Sequence, residues 1–209
     1  QLALTPSSGT LRPCKDESVD WYNSKNLMIE GDNLEVLKLL QKSYSGKVKL
    51  IYIDPPYNTG KDFVYPDNFQ DNMKNYLEIT GQIENGKKIS SNIEKGGRFH
   101  TNWLNMIFPR LHLARNLLTE DGVIFISMDD SEIDNLKKIC SEIFGDDNFI
   151  ANIVWQKKYS PQNDATYFSD MHDHILVYAK NAKLAKNQEK GWSIDLLPRT
   201  DSQNKAYKN

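Results

Sequence analysis

The chain has 209 residues, of which 39% are hydrophobic and 11% aromatic, so it is globular rather than disordered. Its formal net charge of −2 does not indicate a nucleic-acid binder by charge alone. No apolar run approaches the ~18 residues of a membrane helix, so no membrane partner is expected. Two distant cysteines, Cys14 and Cys140, predict neither a disulfide framework nor a metal cluster and favour a cytoplasmic protein.

The first predicted elements alternate between strand and helix. Residues 1–24 are irregular, since prolines and a glycine interrupt the segment. An apolar run predicts a short strand over 26–30, helical spacing predicts a helix over 34–43, and a β-branched run predicts a buried strand over 50–53. Strand, helix and strand with short connections predict a parallel unit.

Two aspartates follow these two strands. Asp32 comes after the first strand and Asp54 after the second. Because adjacent parallel strands lie about 4.8 Å apart and ligands bind outside their carboxyl ends, both carboxylates are expected at one crevice. Asp32 is equally suited to be a plain N-cap of the helix, and both interpretations stay open.

The turn after the second strand, residues 54–57, carries the strongest chemical pattern. Asp54 is an acceptor, and the carbonyls of Pro55 and Pro56 are expected to remain free acceptors as well. Tyr57 adds a flat face on which a base can stack. The turn therefore predicts a receptor for an amino group on a planar heterocycle. A proline-rich turn that merely ends a strand is the alternative.

A polar insertion separates this turn from the next helix. Residues 61–100 form a longer connection than is usual, which predicts either a substrate-covering loop or a mobile surface excursion. Helical spacing then predicts a long amphipathic helix over 101–118. Pro109 inside it predicts a kink or a break.

The remaining pattern continues the alternation. We predict a turn at 121–122, a buried strand over 123–128, a helix over 131–144 ended by Gly145, and strands over 149–155 and 174–179. These elements place the whole region in the α/β class.

Two histidines flank Asp173 just before the last predicted strand. His172 and His174 are two residues apart, but no third ligand pattern accompanies them. The sequence therefore predicts no metal site.

Taken together, the motifs resemble one family. The chain is similar to the modification (Mod) subunits of type III restriction–modification systems, which are N6-adenine DNA methyltransferases of the β arrangement. The resemblance covers most of residues 25–209. It rests on the Asp54-Pro55-Pro56-Tyr57 turn and on the stretches 51–60, 97–106, 121–130 and 155–158.

The resemblance implies a doubly wound methyltransferase sheet, S-adenosylmethionine as methyl donor, and a flipped adenine in double-stranded DNA as substrate. It also implies a restriction (Res) subunit and a second Mod copy as partners. Adenine over N4-cytosine is favoured by Asp, rather than Ser, at position 54. The implied site residues are Asp54, Pro55, Pro56 and Tyr57 for catalysis, Asp32 and Asp54 for the cofactor, and Tyr57, Asn58, Thr59, His172 and His174 for the substrate.

One departure from the family pattern bears on completeness. The Phe-x-Gly-x-Gly motif, which in this arrangement follows the catalytic half, does not occur in the sequence. We expect residues 25–180 to be the catalytic half, residues 181–209 to lead towards the remainder, and the sheet to be incomplete. Little methyl transfer is then expected from the chain alone. N4-cytosine methylation, or a non-catalytic module that binds DNA or a partner, remains the alternative.

Overall fold

A computed structural model describes residue 3 and residues 5–59, 99–159 and 169–185, so the predicted 61–100 insertion lies almost wholly outside the described residues. No described helix is both long enough and apolar enough to cross a membrane. Short 3-10 turns occur at Lys15–Glu17 and Asp146–Asn148. The main elements are α1 (Asn33–Tyr44), β1 (Val48–Ile53), α2 (Phe99–Leu117), β2 (Leu118–Met128), α3 (Ile133–Phe144), β3 (Phe149–Gln156), β4 (His172–Ala179) and α4 (Ala182–Ala185).

The four strands form one mixed sheet in the order β1-β2-β4-β3. β1 and β2 are parallel, and β4 is antiparallel to both β2 and β3. Ile53 is level with Ile126, and Met128 is level with His174. The carboxyl ends of β1 and β2 and the beginning of β4 therefore meet at one edge of the sheet, and the predicted α/β class is confirmed.

Helices α2 and α3 cover one face of this sheet. Alternate residues of the strands point to that face, and their side chains interlock with the apolar stripes of the two helices. Each large side chain fully buried there contributes about 1.5–3 kcal/mol to folding. Cys140 of α3 is fully buried among them, as its helical position predicts. The buried cluster also contains Trp103, Met106, Leu111, Ile124, Ile126, Leu136, Leu176 and Tyr178.

The opposite face of the sheet is partly open. Leu50 and Tyr52 of β1 are 55% and 57% exposed, and Ile153 and Trp155 of β3 are exposed as well. One face of strand β1 is therefore half-buried and the other is exposed, so the prediction of a buried strand is wrong. Helical cover over one face is what an incomplete doubly wound sheet looks like.

The strand predicted over 26–30 is also wrong. These residues lie outside any strand or helix, and Leu27 and Met28 are 69% and 95% exposed. A strand needs a neighbour for its backbone N–H and C=O groups, and no described strand lies beside this segment. An apolar run in the sequence does not reveal whether that neighbour exists.

Two local predictions fail because tertiary packing overrides them. The predicted turn at 121–122 is an irregularity within β2, where a Cβ on Gly122 would lie 2.9 Å from the Thr119 carbonyl oxygen. Helix α2 continues through Pro109, so of the predicted kink or break the break is wrong. Proline inside a helix costs about 3 kcal/mol, and the burial of Ile107 and Leu111 on either side offsets that cost.

Candidate functional site

The turn that follows β1 stands at the shared edge of the sheet. Asp54 is exposed, Pro55 is buried, and Pro56 and Tyr57 are half-buried. Tyr57 packs against the main core. The turn therefore holds its carboxylate in solvent while its proline and aromatic rings rest on the protein.

A buried indole fixes the second proline of the turn. Trp103 of α2 is fully buried and donates its Nε1–H to the Pro56 carbonyl oxygen at 2.7 Å. The expectation that both proline carbonyls stay free is therefore wrong for Pro56. The Pro55 carbonyl shows no hydrogen bond among the described residues. Asp54 and Pro55 are thus the acceptors that the turn presents.

A buried carboxylate anchors the residue after the turn. Asn58 has a left-handed φ of 63° and is 1% exposed, and its Nδ2 donates to Glu132 Oε1 at 2.5 Å. Glu132, itself 1% exposed, also contacts His100 Nδ1 at 2.6 Å and accepts from Asn135 Nδ2 at 2.7 Å. Glu132 thus joins the turn to the beginnings of α2 and α3.

Sequence reasoning missed Glu132, because its position before a helix does not indicate burial. The same contact places the Asn58 side chain in the scaffold of the turn, although Asn58 was expected to bind substrate. The residue type at position 58 did offer one signal for the backbone, because asparagine tolerates the left-handed conformation that Asn58 adopts.

The ring of Tyr57 is held in its neutral form. Burial, with help from Asp54 and Asp173 and a hydrogen bond to Asp54, raises the pKa of Tyr57 to about 12. The phenol therefore stays protonated at neutral pH, and its hydroxyl donates towards the carboxylate.

A cavity of about 1090 Å³ opens beside the turn, between β1, α1 and α2. Asp54, Tyr57 and Thr59 contribute to its rim, and apolar side chains from the three elements form its walls. Arg110, which is 6% exposed, also lines it and donates from Nε to Asn33 Oδ1 at 2.6 Å. The cavity thus combines apolar walls with a carboxylate and a guanidinium.

Asp32 acts as the N-cap of α1. Its Oδ1 accepts from the backbone N–H groups of Leu34 and Glu35 at 2.9 and 3.0 Å. The prediction that Asp32 is an N-cap is therefore confirmed. The prediction that it follows a strand is wrong, because residues 26–30 form no strand. Its neighbour Asn33 lines the cavity.

The beginning of β4 brings the two predicted histidines to the same edge. His172 and His174 lie on one face of the strand, and Asp173 points the other way. Lys157 binds Asp170 and Asp173 at 2.8 and 2.9 Å. Although burial lowers it, the pKa of Lys157 is raised on balance by these two carboxylates.

Residues 48–209 match the family described as DNA methylase, N6_N4_Mtase. The chain belongs to this family. It is 48% identical over 161 residues to the type III restriction–modification enzyme EcoPI Mod subunit of Escherichia phage P1, covering 76% of this chain and 25% of that protein. It is 47% identical over 161 residues to the EcoP15I Mod subunit of Escherichia coli, with the same coverage.

A more distant relative is the DNA adenine methyltransferase YhdJ of Escherichia coli strain K12, 25% identical over 167 residues, with 80% of this chain and 45% of that protein covered. This DNA methylase chain therefore resembles Mod subunits as its motifs predict, and it spans about a quarter of the length of the two Mod subunits.

Within this methylase chain, the structure groups some of the predicted site residues and separates others. Asp54, Pro55 and Tyr57 share the sheet edge with His172 and His174. Thr59 is exposed beside them, whereas Asn58 is buried on Glu132. The grouping gives two acceptors and a neutral aromatic ring at one approach, whereas His172 and His174 lie on the opposite face of β4 from Asp173, whose charge acts on Tyr57.

Proposed function

We propose that this chain is the catalytic half of a DNA methyltransferase that methylates N6 of an adenine flipped out of double-stranded DNA. The observation that carries the proposal is the exposed Asp54 carboxylate beside the Pro55 carbonyl and the Tyr57 ring, at the rim of a large cavity. The Mod-subunit relatives and the relative named as an adenine methyltransferase support the adenine assignment.

The acceptor side of the reaction follows from the geometry of the turn. An exocyclic amine has two protons, and Asp54 and the Pro55 carbonyl would each accept one of them. These two bonds orient the amino group and draw its protons towards the acceptors, which leaves more electron density on nitrogen for attack. Trp103 supports this arrangement, because its bond to Pro56 fixes the second half of the turn.

The aromatic side of the turn would hold the base itself. Stacking of a base on Tyr57 is worth about 1–3 kcal/mol. With a pKa of about 12 the phenol stays neutral well above pH 7, so no phenolate charge lies beside Asp54 there. Thr59, which lines the cavity, would border the same pocket, and His172 and His174 would contact the base from the beginning of β4.

The cavity suits S-adenosylmethionine, which when bound supplies an electrophilic methyl group. The apolar walls would accommodate its uncharged portions, and the Asp54 carboxylate would accept from its ammonium group. Asp32 would add a second carboxylate from the start of α1, since both of its capping bonds use Oδ1. Holding the donor and the amine in one orientation accelerates transfer without any covalent enzyme intermediate.

The wider assembly is proposed from the named relatives. The type III Mod subunits suggest that the protein is the modification component of a restriction–modification system, bound to double-stranded DNA, a restriction (Res) subunit and a second Mod copy. Since the chain spans 25% of those relatives, we expect the 209 residues alone to transfer few methyl groups.

The test uses the complete protein that carries this chain, with radiolabelled S-adenosylmethionine and duplex DNA. Asp54→Ala should abolish methyl transfer, whereas Asp147→Ala, an exposed aspartate at the opposite edge of the sheet, should leave it unchanged. Equal activity of the Asp54 variant and the wild type would refute the assignment. Nucleoside analysis of the product separates N6-methyladenine from N4-methylcytosine, and a total lack of transfer would favour the non-catalytic module.

A further inference from the structure

Three potential metal ligands converge outside the acceptor turn. One carboxylate oxygen of Asp130 and one ring nitrogen each of His172 and His174 lie within 4.8 Å of one another. The two histidines are two residues apart on β4 and so share a face. Met128 at the end of β2 is level with His174, which brings Asp130, two residues further on, to the same place.

His174 is already oriented as a metal-binding histidine would be. Its Nε2 faces Asp130 Oδ1 at 3.0 Å, and its Nδ1 faces the Asn152 side-chain amide, whose Nδ2 and Oδ1 lie at 3.1 and 3.3 Å. When Nδ1 carries the proton and donates to the amide oxygen, the Nε2 lone pair points at a carboxylate. A cation between these two groups replaces the proton that would otherwise join them. Such an outer hydrogen bond commonly fixes the tautomer of a metal-ligating histidine.

The second imidazole completes a three-ligand set. The rings of His172 and His174 are 5.1 Å apart between centroids and inclined at 79°, so both can direct a nitrogen to a common point. The side chain of Asp130 is 76% exposed, which leaves a path from solvent. The nearby cation Lys157 is paired with Asp170 and Asp173, so its charge is offset by two carboxylates.

We propose that Asp130, His172 and His174 form a site for a divalent transition-metal ion, with Zn²⁺ as the best match. Two imidazole nitrogens and one carboxylate oxygen are ligands that Zn²⁺ prefers, and three protein ligands leave a fourth position for water. The sequence offered only the His-x-His pair, and the fold supplies the third ligand from a residue 44 positions away from His174.

The test measures metal binding directly and needs no methyl transfer. The complete, untagged protein is freed of metal with a chelator and titrated with Zn²⁺ by calorimetry and with Co²⁺ by visible absorption. We expect an ion at this site, with the Co²⁺ bands of a low-coordinate N/O environment. His172→Gln and His174→Gln should each weaken that event at least tenfold, and His112→Gln, an exposed histidine of α2, should not.

Asp130→Asn tests the site without disturbing the core, because the Asp130 side chain is largely exposed. It should weaken Zn²⁺ binding while the circular dichroism and melting temperature stay unchanged. Absence of Zn²⁺ binding by the wild type overturns the proposal. So does binding of undiminished affinity and stoichiometry in the folded His172→Gln/His174→Gln double variant, because the ion then binds elsewhere.

Discussion

The buried Glu132 is where a single substitution should most disturb the candidate site. Of the three partners of Glu132 among the described residues, only Asn58 is fully buried, because the side chain of His100 is 56% exposed and Asn135 is half-buried. Water can therefore replace the latter two donors, and the Asn58 bond dominates. A hydrogen bond to a charged group contributes about 1.5–3 kcal/mol. The one lost methylene adds roughly 0.8 kcal/mol.

We therefore expect Glu132→Ala to lower the free energy of unfolding by about 2–4 kcal/mol. Glu132→Gln should cost only about 1 kcal/mol, since an amide oxygen can still accept from Asn58. Urea unfolding of the chain, followed by far-ultraviolet circular dichroism, measures both values. Glu142→Ala, at an exposed glutamate of α3, is the matched control and should change stability by less than about 0.5 kcal/mol.

A double-mutant cycle separates the Asn58 bond from the remaining effects. Asn58→Gly keeps the left-handed φ available while removing the amide. If the bond to Glu132 dominates, Glu132→Ala should cost much less in the Asn58→Gly background than in the wild type. Strictly additive effects, or a Glu132→Ala loss below about 0.5 kcal/mol, would refute the reasoning.

Three further outcomes follow from the same structure. Trp103→Phe keeps a large ring but removes the donor to Pro56, so urea unfolding should show a loss of about 1–3 kcal/mol, and a wild-type midpoint would contradict the bond. Because the pKa of Tyr57 is raised in the folded protein, its protonated phenol stabilises the fold below pH 10, and this contribution is lost between pH 10 and about 12. An ultraviolet difference titration of the wild type against Tyr57→Phe should therefore show one phenol that ionises late. Burial raises the pKa of the Cys140 thiol, so a thiol reagent should label exposed Cys14 quickly and Cys140 only on unfolding.

Elements specified by local pattern were well predicted from the sequence. The helix expected over 34–43 is observed as Asn33–Tyr44, because its apolar stripe and its Asp32 cap are properties of neighbouring residues. Gly145 ends α3 with a φ of 92°, a conformation that glycine adopts without steric cost. The strand over 26–30 failed because its formation depends on a partner that the segment itself does not encode.

In the candidate site too, features set by neighbouring residues were predicted and features set by distant residues were not. The acceptor turn was found because four consecutive residues carry its chemistry. Its supports were not, since Trp103 lies 47 positions from Pro56, and Glu132 lies 74 positions from Asn58. Nothing in the local pattern of a tryptophan on an apolar helix face shows that its indole N–H meets a proline carbonyl.

These supports give the four residues of the turn unequal roles. Trp103 donates a hydrogen bond to the Pro56 carbonyl oxygen, and Glu132 fixes the backbone just beyond Tyr57 through its bond to Asn58. The second half of the turn is therefore anchored to buried side chains. Asp54 stays exposed. Because the second half of the turn is rigid, the acceptors of the first half are already in position before the base binds. Binding then costs no further ordering of these acceptors, which is the meaning of preorganisation. Substitutions in the supports should therefore impair positioning, and Asp54 substitutions should remove the chemistry itself.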